Sequence, residues 1–173
     1  MKKLHIGPKM LIGFCLLVGL VILCIPKKKT SAHLTMAGTM ERTVEDIFLT
    51  TINEQLFNIK KGFHSLKNNS ECFIIEVNYQ THHSSKILIL DDAVEFLKKI
   101  FTDARCNQIE VINLYPHSVL IDKYGKESVD QIAMLQLNRT SASKINWSNV
   151  GSSLLEKLLS SEGVLWFHNC LKD

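Results

Sequence analysis

The chain has 173 residues, of which 46% are hydrophobic and 21% charged, with only 8 glycines and 3 prolines. That balance excludes a disordered chain, a collagen-like fibre and a low-complexity linker, which need fewer apolar residues or more Gly and Pro. Lys2, Lys3, Lys9, Lys27, Lys28 and Lys29 give the first 32 residues six positive charges and no acid, which leaves 14 basic against 17 acidic side chains, a formal net charge of −3, for the rest. The basic balance of the whole chain therefore belongs to its leader. The remainder has no cationic surplus for phosphates, which argues against a nucleic-acid partner.

Residues 10–25 read MLIGFCLLVGLVILCI, sixteen residues without a charge, with Lys9 before them and Pro26 and three lysines after them. As a helix rising ~1.5 Å per residue the run spans roughly 24 Å, slightly short of a ~30 Å hydrocarbon core. Lysines at both ends can snorkel, so a single span is feasible, with Leu11, Phe14, Leu17, Leu20 and Ile22 facing lipid. A cleaved signal peptide would end at Thr30-Ser31-Ala32, but the three lysines before that site are unlike the short uncharged region such cleavage uses. The reading adopted is a retained anchor in residues 1–32 followed by one domain in residues 33–173. Three lysines on each side leave the positive-inside rule almost tied, and the short tail before a large trailing domain places the tail inside and the domain on the extracytoplasmic side.

Beyond the leader, Val44, Phe48, Ile52, Leu56, Ile59 and Phe63 recur at steps of three or four, which predicts one long helix capped by Thr43 and ended at Gly62. Residues 72–80 alternate, with Phe73, Ile75, Val77 and Tyr79 on one face of a half-buried strand. His82-His83-Ser84-Ser85 then turns into a second strand, 86–90, and Asp91-Asp92 opens a helix reaching about Arg105, with Val94, Leu97, Ile100, Phe101 and Ala104 toward the core. Strands are expected at 109–114, where Tyr115-Pro116 ends the run, and at 119–124 and 129–137 around Gly125-Lys126-Glu127. A helix from Ser148 carries Val150, Leu154, Leu155, Leu158 and Leu159, Gly163 stops it, and 164–167 forms a last short strand. Strands joined by short links predict an α+β domain with an antiparallel sheet packed by helices.

Candidate chemistry is sparse. Residues 86–92, Lys-Ile-Leu-Ile-Leu-Asp-Asp, resemble the first strand of bacterial response-regulator receiver domains, and the resemblance implies Mg²⁺ held by Asp91 and Asp92. A receiver also needs an aspartate ending a later strand after an apolar run, and Asp122 instead leads into Lys123-Tyr124-Gly125 of a hairpin. An acidic pair in the first turn of a helix accounts for both residues through the helix dipole alone. His82 and His83 are adjacent, so on a strand they point to opposite faces and do not converge on one ion. His168-Asn169-Cys170 has the residue types of a thiol nucleophile and base but sits at the chain end, where a site is hard to hold rigid. There is no Gly-x-Ser-x-Gly, phosphate loop or His-Glu-x-x-His. No catalytic residue is therefore assigned and no cofactor is implied.

Trp166 and Phe167, in an apolar tail, are the interaction residues nominated. The function expected is that of a membrane-anchored cell-envelope protein whose domain binds other proteins, as an accessory or assembly subunit of a secretion or conjugation machine. A Mg-dependent phosphate-handling enzyme at Asp91 and Asp92, and an effector released after Ala32, are the alternatives.

Overall fold

The structure, a computed structural model, describes residues 32–52, 54–67 and 70–171. The chain divides into two units with the boundary between Thr35 and Met36. The apolar run 10–25, with the anchor residues Leu11, Phe14, Leu17, Leu20 and Ile22, lies outside the described residues; no helix among those described is long and apolar enough to cross a membrane.

Helix α1, Ala32–Thr51, leads into a hairpin of β1, Gln55–Lys67, and β2, Ser70–Gln80. Helix α2, Lys86–Thr102, and a 3₁₀ turn, Ala104–Cys106, carry the chain over the sheet to β3, Ile109–Ile121. Then follow β4, Glu127–Gln131, β5, Ala133–Asn138, a single turn α3, Arg139–Ala142, helix α4, Ser152–Glu162, and β6, Val164–Phe167. The sheet order is β1-β2-β3-β5-β6, with β4 paired to β3 beyond β5. The domain is α+β, as expected, but its sheet is mixed. Strands β2 and β3 run parallel because α2 is a crossover between them, whereas the other pairs are antiparallel.

Four expectations are corrected. The helical stripe ends at Ile52: Leu56, Ile59 and Phe63 belong to β1, and Thr43 is a buried interior residue whose hydroxyl donates to the Thr39 carbonyl at 2.8 Å. The β-branched run Thr50-Thr51-Ile52 ends the helix, with both threonine hydroxyls turned back onto carbonyls of its last turns. Residues 86–90 are not a strand but the start of α2, so Asp91 and Asp92 lie inside the helix rather than opening it. Ile89 and Leu90 are buried with Ala93, Val94, Phe96, Leu97 and Ile100, at helical spacing, while Ile87, Leu88 and Ala104 are exposed. Strand β3 runs straight through Tyr115-Pro116. Pro116 faces the junction at Ile132 that divides the expected 129–137 strand into β4 and β5, where its carbonyl accepts from the Ile132 N–H at 2.9 Å and no N–H is required of it.

Helices α1, α2 and α4 cover one face of the sheet. Phe48 from α1, Tyr79 from β2 and Phe96 from α2 meet edge to face, with ring centroids 5.1 and 5.9 Å from Phe48. Around them pack Ile75, Val77, Ile112, Leu114, Leu135, Leu137, Leu155 and Leu159.

Arg139 fastens the end of the crossover. Its Nε donates to the Ile109 carbonyl at 2.7 Å and its Nη2 to the Cys106 carbonyl at 2.6 Å, with the guanidinium 5.2 Å from the Phe101 ring. Arg139→Ala is expected to cost about 2 kcal/mol in denaturant unfolding, because two carbonyls lose a charged donor. Arg139→Lys should recover little, since an ammonium cannot fork between two acceptors. Full stability in the lysine variant would refute the fork.

Candidate interaction surface

The face of the sheet opposite the helices has no element over it among the described residues. Cross-strand partners place Lys60, Glu76, Asn113, Gln136 and Val164 in one row running across five strands. Beside it Asn58 faces Asn78, which faces Tyr115, and Met134 faces Trp166. The amides of these rows satisfy one another. Asn78 Nδ2 donates to Asn58 Oδ1 at 3.1 Å, and Gln136 Nε2 donates to Asn113 Oδ1 at 2.9 Å. Burial, reinforced by nearby Glu76, pushes the Tyr115 phenol above its ordinary 10.0, so it stays a neutral donor at physiological pH.

The rim of this face is apolar and aromatic. Phe57 stands edge-on to His117 with ring centroids 5.6 Å apart, and Trp166 to His168 at 6.2 Å. Past His117, where its pairing with β2 ends, β3 continues with β4 alone as a two-stranded arm. Alternation keeps Val119 and Ile121 on the same side as Tyr115 and His117, and Val129 faces Val119 across the pair. Leu120 points the other way, against the core. Ile121 is 66% exposed and Tyr124, in the turn, 82%. Asp122 Oδ1 accepts from the N–H groups of Tyr124 and Lys126, and Gly125 takes the positive φ of 80° that the turn requires.

Of the two nominated residues, only Trp166 lies on this surface, 45% exposed. Phe167 is its neighbour on a strand, so it faces the helices and packs partly buried against the core. The sequence reading missed the arm and the bare face. The alternation of 109–121 was visible, but the proline hid its continuity, and a strand's second face cannot be called bare until the helices are placed.

The nominated acidic pair is split: Asp91 is exposed on α2, while Asp92 Oδ2 lies 3.0 Å from His83 Nε2. Glu54 Oε1 accepts from the Thr81 hydroxyl and the His82 N–H, each at 3.3 Å, and the His83 N–H donates to Thr81 Oγ1 at 3.1 Å. This network ties the loop before α2 to the helix. Among the described residues no group of three or more His, Cys, Asp or Glu side chains is arranged to hold a metal ion. At the chain end, the Cys170 N–H rather than its thiol meets His168 Nδ1, at 3.1 Å. Cys72, Cys106 and Cys170 are all free thiols. Burial, with a smaller contribution from Asp103, pushes the Cys106 thiol up to about 11, away from thiolate chemistry.

Burial pushes the Asp92 carboxyl above its ordinary 3.8, and His83 opposes that only in part. Below about pH 3 both folded and unfolded chains hold this proton and its contribution to stability is complete. As pH rises, the unfolded chain releases the proton first, and the contribution is lost through the raised native value. Asp92→Asn cannot titrate, so its melting temperature relative to the parent should climb between about pH 3 and pH 7. A constant difference across that range would show that burial does not govern this carboxyl.

In comparisons with known proteins, the chain matches no family model, no curated protein and no solved structure.

Proposed function

We propose that this protein is a membrane-anchored docking subunit of the cell envelope whose α+β domain binds another protein through the bare face of its sheet. The observation that carries this reading is the set of exposed apolar side chains Phe57, Val119, Ile121, Val129 and Trp166 at the rim of a polar floor of mutually bonded amides. Aromatic residues are enriched in protein interfaces, and exposed apolar side chains gathered on one face mark a binding site on a natural surface. The uncharged run 10–25 with lysines on both flanks supports a single membrane span. An accessory or assembly role in a secretion or conjugation machine fits a tethered domain that offers a surface and, among the described residues, no convergent catalytic set.

The test is co-purification from detergent-solubilised membranes of the native cell. Tagged parent chain should bring down a defined partner, and the double variant Trp166→Ala/Ile121→Asp should lose it with an unchanged melting temperature, since both side chains are exposed. Recovery of the tagged chain alone, or of the same partner by the variant, would overturn the proposal.

A further inference from the structure

A second surface lies at the free edge of β1. Glu41, Glu45 and Leu49 follow one another at intervals of four along α1 and so form one stripe beside that edge. With Glu54 and residues 55–59 they line a groove of about 520 Å³. Its floor is apolar, made by the half-buried Leu56 and Ile59, and two large side chains stand at its lip, Leu49 at 50% and Phe57 at 41% exposure. Three carboxylates and no basic side chain line it. Glu41 and Glu45 form no ion pair among the described residues, and Glu54 spends one oxygen on neutral donors. Uncompensated carboxylates above an apolar floor set out what an occupant must carry.

We infer that this groove binds a protein segment in which lysine or arginine side chains flank an apolar anchor. The anchor fills the space between Leu49, Leu56, Phe57 and Ile59, and its cationic neighbours meet Glu41 and Glu45. An acidic or purely apolar segment would leave the carboxylates facing like charge or nothing, so charge complementarity selects the basic class. A second copy meeting this one groove to groove is disfavoured by the same reasoning, because each acidic stripe would then face its own equivalent. The inference names a ligand chemistry at a groove that shares only Phe57 with the exposed residues of the bare face. It stands whether or not that face binds a partner.

The probe is a fluorescein-labelled hexapeptide, Lys-Leu-Lys-Val-Lys-Leu, titrated by anisotropy against the full chain in non-ionic detergent, with a glutamate-for-lysine peptide as control. The basic peptide should bind, weaken about tenfold between 50 and 500 mM salt as screening grows, and outcompete the acidic one. Glu41→Gln/Glu45→Gln should weaken it about tenfold and Leu49→Ser comparably, each with the melting temperature of the parent. Trp166→Ala/Ile121→Asp should leave peptide binding intact. Equal binding of the two peptides, or an unaffected double glutamine variant, would overturn the inference. So would loss of the peptide in the Trp166/Ile121 variant alone, which would move the basic segment to the bare face and leave the function proposed above standing.

Discussion

Phe48→Ala should destabilise the domain by about 4 kcal/mol, the largest loss expected of any single side-chain truncation here. Phe48 is fully buried and joins three elements that are far apart in sequence, since it touches Tyr79 from β2 and Phe96 from α2. Removing the ring forfeits its transfer free energy and leaves a cavity that two other rigid rings cannot collapse to fill. Against a typical domain stability of about 5–15 kcal/mol, that loss separates a folded population from a partly unfolded one. For a domain of this size it corresponds to a fall in melting temperature of roughly 12 °C. Phe48→Leu, which keeps most of the volume, should lose less than half as much. A loss below about 1 kcal/mol for the alanine variant would mean that α1 is not packed on the sheet through this ring.

Phe48 was legible in the sequence because three turns of periodicity surround it, and Tyr79 because its strand alternates. Leu56, Ile59 and Phe63 were not. They continue the helical spacing by accident, and β1 carries irregularities between Leu56 and Asn58 and between Phe63 and Ser65 that erase the period of two. Residues 86–90 failed for a related reason: five residues of which four are apolar fit a buried strand and the first turn of a buried helix equally well. Once those residues are helical, α2 spans the sheet and β3 must return parallel to β2. A single local misreading therefore carried the error in sheet direction.

The candidate surface was legible only in part. Trp166 could be nominated by residue type, but telling it from Phe167 needs the face assignment of β6, which follows from its pairing with β5. The strip from Val119 to Ile121 read as an ordinary strand because exposure is a property of what covers a face. Glu41, Glu45 and Leu49 could be placed on one helical stripe from their spacing alone. That the stripe borders a strand edge follows from where α1 ends, which the helical periodicity had misplaced by eleven residues.

Gly163→Ala should cost about 3 kcal/mol, and the reason is space rather than backbone freedom. Gly163 ends α4, its N–H donating to the Leu159 carbonyl at 3.1 Å, with φ at −128°, a value open to any residue. A methyl group there would collide with the carbonyl oxygen of Gln136 and press on Leu159. The Gln136 backbone is held in the β5 ladder opposite Val164, and Leu159 is fully buried, so neither can move aside cheaply. Relief requires β6 to lift away from β5, which carries Trp166 off the bare face. The variant should therefore lose stability, with faster amide exchange confined at first to β6, and on the function proposed above it should lose partner capture as well. Gly125→Ala is the contrast: it has open space around its Cβ and only a φ of +80° to strain, so it should cost about 1 kcal/mol and leave β6 untouched. If Gly163→Ala proved as stable as the parent, the close approach of α4 to β5 would be wrong, and with it the position of β6 at the edge of the sheet.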